Sequence, residues 1–131
     1  MTSTELMGKI VHLLDAKKAQ DIEVLDIREL TTMADYFVIC TGSSTTQIKA
    51  LSDELDEKLS REDGIRPLGK EGFSTAYWIL MDYDSVIVHI FSGETREFYS
   101  IEHLWSDAKR TDITGYLVKP QDNLERTEWE Q

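Results

Sequence analysis

Leu6, Met7, Ile10, Val11, Leu13 and Leu14 recur at spacings of three and four, which predicts an amphipathic first helix. Ser3 or Thr4 is the expected cap, because a hydroxyl there can accept from the free amides of the first turn. A short strand is expected over residues 23–27. A second is expected over 34–40, where the unbroken apolar run Tyr36-Phe37-Val38-Ile39-Cys40 requires burial on both faces and so a central place in a sheet. Gly42-Ser43-Ser44-Thr45-Thr46 breaks that strand. A long helix follows over 47–61, with Ile48, Leu51, Leu55 and Leu59 inward and Asp53, Glu54, Asp56, Glu57 and Lys58 outward. Gly64 and Pro67 mark its end.

Residues 68–72 are polar and contain glycine; two apolar runs, 77–81 and 86–91, come next. The four residues between them suit a turn, so the pair predicts an antiparallel hairpin. A last extended piece is expected over 96–101, and Ile101, Leu104 and Trp105 fit one face of a short helix. From Lys109 the apolar pattern fails. Residues 1–108 therefore read as one domain and 109–131 as a polar C-terminal tail, flexible or ordered only on contact. The element order predicts a single-domain α/β fold: a mixed sheet flanked by helices, with a parallel pair joined across the long helix and an antiparallel hairpin.

Alternation in the first hairpin strand sends Trp78 and Leu80 to one side and Tyr77, Ile79 and Met81 to the other. If helices cover only one face of the sheet, one of these sets is left outward. An exposed apolar face inside a polar shell is what a protein–protein site looks like. The aromatic residues Phe98, Tyr99 and Trp105 add to the same half of the chain.

The charge balance narrows the partner. The 131 residues carry 14 Lys and Arg against 25 Asp and Glu, a formal net charge of −11. Binding nucleic acid by phosphate neutralisation needs a basic stripe, so no direct nucleic-acid recognition is expected, and an anionic membrane is equally disfavoured. An acidic domain suits a basic protein partner, or no charged partner at all. With one cysteine, Cys40, no internal disulfide can form. No run reaches the ~20 apolar residues of a membrane span, and the expectation is a cytoplasmic protein that engages no membrane.

Candidate chemistry is sparse. The Gly42-Ser43-Ser44 turn, between strand and helix, could receive a phosphate on its amides, yet it has neither a Walker A ending nor a Gly-x-Gly-x-x-Gly spacing; a helix cap explains it as well. Asp82 and Asp84, two apart, could share a divalent ion, although Asp is also favoured in the turn they occupy. Ser43, Asp82 and Asp84 together define the alternative reading, a magnesium-dependent nucleotidyltransferase-like enzyme. His12, His89 and His103 lack metal-ligand spacing, and His89, inside an apolar run, reads as a hydrogen-bonded structural residue. No catalytic residue, metal or cofactor is assigned.

Taken as a set, Val24-Leu25-Asp26-Ile27-Arg28, the run from Ala34 to Ser44, Gln47, Trp78-Ile79-Leu80-Met81-Asp82-Tyr83, Val86 to Phe91, Arg96-Glu97-Phe98-Tyr99 and Leu104-Trp105 resemble the ribosome silencing factor, or Iojap, family. The resemblance runs in order from about Leu6 to Ala108. It implies a nucleotidyltransferase-like α/β fold without established transferase activity. It also implies binding to the large ribosomal subunit through protein fourteen of that subunit, where the factor blocks joining with the small subunit and represses translation when nutrients are scarce. Trp78, Leu80, Asp82, Tyr83, His89 and Phe91 are the expected partner-binding residues. An exposed apolar face would also support a homodimer in the free protein.

Overall fold

The computed structural model describes residues 1–119. The first helix, α1 (Ser3–Ala16), is capped by Thr2 rather than by Ser3 or Thr4. The Thr2 hydroxyl accepts from the Glu5 amide while the Glu5 carboxylate accepts from the Thr2 amide, a reciprocal box that needs glutamate three residues after the cap. Strands β1 (Gln20–Asp26) and β2 (Tyr36–Gly42) follow, then α2 (Thr45–Asp63), which ends at Gly64 with φ 66° in the left-handed region. The short β3 (Gly69–Glu71) leads into the hairpin β4 (Trp78–Asp82) and β5 (Val86–Ser92). Two short helices, α3 (Gly93–Tyr99) and α4 (Ile101–Leu104), the two-residue β6 (Lys109–Arg110) and a 3-10 turn (Thr114–Tyr116) complete the order.

These strands form one mixed sheet in the order β3-β4-β5-β2-β1-β6. Only β2 and β5 run parallel, joined across α2, β3 and β4; every other neighbouring pair is antiparallel. All seven residues of β2 are buried, as its continuous apolar run requires of a central strand. The sheet thus has two apolar faces. On one, Val24, Val38, Cys40, Ile79, Met81, Val88 and Ile90 pack under the inward stripes of α1 and α2. On the other, Leu25, Ile27, Phe37, Ile39, Ile87 and Phe91 pack with Ile101, and Trp78, Leu80 and Trp105 lie half-buried at the margin.

Residues 96–101, expected as extended, instead form the second half of α3, its cap Ser100 and the first residue of α4. Ser92 caps α3 by accepting from the Thr95 amide, and none of the residues of α3 is buried, so it carries no apolar period to read in the sequence. Nor is the segment after Ala108 a loose tail over residues 109–119. Lys109 and Arg110 pair with Asp26 and Leu25 on the edge of β1, and the Thr111 amide donates to the Val24 carbonyl. Further on, His12 Nδ1 lies 2.9 Å from the Tyr116 carbonyl, and the Val118 amide donates to Asp15. Backbone pairing, these side-chain contacts and the half-buried Ile113, Tyr116 and Leu117 on the first core hold this strap, and so few apolar residues do not mark an element in the hydropathy. The rest of the expected tail, residues 120–131, lies outside the described residues.

A helical glycine makes room for the strap. A Cβ at Gly8 would fall 2.5 Å from the Tyr116 ring, so alanine there gains about 1 kcal/mol of helix propensity but displaces the ring. Gly8→Ala should lower the urea midpoint of the intact chain and raise it in a Tyr116→Ala background. The same sign in both backgrounds would show that the ring does not dock on α1.

Candidate partner-binding surface

Strand alternation decides what reaches the less covered face. Trp78 and Leu80 project there from β4 opposite Phe91 and His89 of β5, with Asp82 opposite Ile87. Tyr83, the next residue, turns to the other face, where it is buried in the core beneath α1 and α2. The six expected residues therefore do not form one surface. Trp78, Leu80, His89 and Phe91 come together. Asp82 sits at the strand end, where its carboxylate accepts from the Asp84 amide at 2.8 Å, and Tyr83 is removed by the period of two.

Depth separates the four that meet. Phe91 and His89 are buried, and Trp78 lies over them, its ring stacked on Phe91 at 4.8 Å between centroids. The Trp78 indole N–H donates to His89 Nδ1 at 3.1 Å. In the neutral ring the proton must then sit on Nε2, which is buried and finds no acceptor among the described residues. Phe37 meets the His89 ring edge-on at 4.9 Å and Trp105 at 5.1 Å, closing an aromatic bed. His89 thus serves as the structural, hydrogen-bonded histidine its context predicts, and it orients the indole above it.

The outermost apolar groups come from the two short helices, which site assignment from sequence missed. Phe98 is 81% exposed, Leu104 76% and Tyr99 49%, and Tyr99 reaches the Trp78 ring at 4.9 Å. Phe98 and Tyr99 stand edge-to-face at 5.1 Å. Their sequence signal was the aromatic pair itself; a helix with no buried residue offers nothing more. Tyr77, directly before β4, is also exposed. Carboxylates of Glu94, Glu97 and Glu102 flank these groups along α3 and α4.

The alternative constellation does not assemble. In the sheet register Asp82 lies opposite Ile87, near the start of β5, whereas Gly42 pairs with Ser92 at its end. Five residues of strand separate the levels, about 17 Å at ~3.3 Å per residue. Ser43 belongs to a capping turn: Ser44 Oγ accepts from the Gln47 amide, Gln47 accepts from the Ser43 amide, and Gln47 Nε2 donates to the Lys18 carbonyl at the end of α1. The cleft beside this turn measures ≈ 420 Å³, and among the described residues its one charged lining residue is Glu94, the wrong sign for a phosphate. Among the described residues no group of three or more His, Cys, Asp or Glu is placed to hold a metal ion. Cys40 is buried in β2, and burial pushes its thiol up to about 12.

Comparison with known proteins places this geometry. The sequence model of a family described as "Ribosomal silencing factor during starvation" matches residues 1–131. The chain is 36% identical over 117 residues to the ribosomal silencing factor RsfS of Halalkalibacterium halodurans, covering 89% of this chain and 99% of that protein. It is 31% identical over 102 residues to the mouse protein named "Mitochondrial assembly of ribosomal large subunit protein 1", covering 74% of this chain and 43% of the mouse protein. A crystal structure of a Chromobacterium violaceum protein superposes with a TM-score of 0.78 at 32% identity, covering 87% of this chain and 93% of that one.

The buried histidine makes an acid-side prediction. Burial holds His89 down to about 4, against an ordinary value of 6.5. Between those values the unfolded chain binds a proton that the folded chain refuses, so stability falls as pH drops from 6.5 towards 4, by up to roughly 3 kcal/mol. Urea titrations across this window should show that slope in the native sequence and a shallower one in His89→Gln. Parallel slopes would mean that His89 titrates normally.

Proposed function

This chain belongs to the ribosomal silencing factor family, and we propose that it binds the large ribosomal subunit through that subunit's protein fourteen and blocks joining with the small subunit, repressing translation under nutrient limitation. The observation that carries this reading is an apolar surface, formed by Trp78, Leu80, Phe98, Tyr99 and Leu104, on a protein of net charge −11. Ribosomal proteins are generally basic, so the acidic shell steers the factor towards one and away from bare phosphate. The mouse relative, named for large-subunit assembly, supports the choice of subunit. Asp82 and the carboxylates of Glu94 and Glu97 on α3 supply a polar rim, while His89 and Phe91 act from beneath by holding Trp78 in place. Tyr83 has no part in the contact. In the free protein the same surface can accept a second copy of the chain, in competition with the ribosome.

Steric blocking needs no chemistry. A body seated on the joining face excludes the small subunit for as long as it stays bound, so residence time sets the strength of repression. A few desolvated anchors then carry most of the affinity, with large aromatic groups favoured.

Co-sedimentation with isolated large and small subunits, beside a subunit-joining assay, tests the reading. Binding to the large subunit alone, with loss of joined ribosomes, is expected. Trp78→Ala should weaken it by at least ~2 kcal/mol. Because Trp78 also packs on Phe91, the exposed Phe98→Ala gives the cleaner measurement and should weaken binding with the melting temperature unchanged. Tyr83→Phe should bind as the native chain does. Binding to neither subunit would sink the proposal.

A further inference from the structure

Two very short helices present the outermost groups of this surface, and their own packing on the sheet amounts to Ile101 and the contact of Tyr99 with Trp78. No residue of the seven-residue α3 is buried, and the four-residue α4 buries only Ile101. Helices of this length are not stable alone. What ties them to the sheet is the side chain of Arg96, only 13% exposed. Its Nε donates to Glu102 of α4 at 2.7 Å, and its Nη1 donates both to the Asp21 carbonyl at 2.6 Å and to Thr41 Oγ1 at 2.9 Å. Nη2 lies 3.5 Å from the Glu23 carboxylate.

The acceptors are arranged for a planar fork. Asp21 sits in a register shift of β1 at φ 48°, which takes its carbonyl out of the ladder with β2. Thr41 is buried in β2, and Glu102 reaches back from the following helix. One guanidinium thereby links β1, β2, α3 and α4. A lysine ammonium has no planar fork and cannot serve acceptors spread over three other elements.

We infer that Arg96 is the positioning residue of the partner-binding surface: its guanidinium, bonded to Asp21, Thr41 and Glu102, fixes α3 and α4 in the arrangement that presents Phe98, Tyr99 and Leu104. The inference rests on the ribosomal reading of that surface and names the residue that sets its geometry without touching the partner. Releasing Arg96 lets the two helices sample other orientations, and the affinity for the subunit drops by the fraction of molecules that keep the binding arrangement.

The test uses the full chain and isolated large subunits. Arg96→Gln should weaken binding at least tenfold and speed amide exchange in α3 and α4, while amides of β2 and β5 stay protected. Arg96→Lys should recover only part of the affinity. Joining Arg96→Gln to a Phe98→Ala, Leu104→Ala pair should add little to the loss caused by the pair, because the freed helices then have nothing left to present. Full additivity, or faster helix exchange with native affinity, overturns the positioning role. Native affinity in the Phe98→Ala, Leu104→Ala pair instead overturns the surface itself, and this inference with it. Should Arg96→Gln fail to fold, Glu102→Ala removes one acceptor of the guanidinium and should move binding and exchange the same way, by less; no change in either would refute the role.

Discussion

A six-stranded sheet has two faces to keep from water, and the described residues supply long helices for only one of them. α1 and α2 carry continuous apolar stripes and close the first face over Val38, Met81 and Val88. On the second face the chain offers α3, α4 and Trp105, which cover its centre and leave a margin. That imbalance determines which residues are structural and which can meet a partner. It follows from strand alternation: shifting β4 by one residue would bury Trp78 beneath the helices and turn Tyr83 outward.

As a proposed partner surface, the margin combines exposure with order. Its apolar groups rest on a rigid aromatic bed of Phe37, Phe91 and Trp105, and a hydrogen bond from Trp78 to a buried histidine fixes the indole's orientation. An apolar side chain in place of His89 would leave the indole N–H without its acceptor, a loss of order 1 kcal/mol. The histidine has its own cost, since its Nε2 proton is buried without an acceptor among the described residues. Surrounding negative charge then restrains association with anything but a basic surface.

Much of this was legible in the chain because the central elements follow simple periods. The unbroken run in β2 announced a central strand, the stripe of α2 announced its face, and the turn between β4 and β5 announced the hairpin. The family resemblance rested on those segments and the motifs between them. What could not be read depends on pairing between distant residues. α3 buries nothing, so no hydropathy pattern distinguishes it from an extended piece, and the strap at 109–119 is held by backbone pairing with β1 and by contacts of Tyr116 and Val118 with α1. The site was half legible for the same reason: alternation put Trp78 and Leu80 together correctly, but applied one residue further it also removes Tyr83.

In the proposed contact, the weakly packed helices and the strongly packed sheet divide the work of recognition. Were α3 and α4 embedded in the core, their apolar residues would be consumed by folding and unavailable to a partner. Were they untethered, ordering them on binding would reduce the affinity. A polar tether resolves the conflict, because a guanidinium bonded to β1, β2 and Glu102 restrains a helix while leaving its apolar side chains outside. The surface can therefore be apolar and ordered at once, which folding of an isolated short helix could not provide.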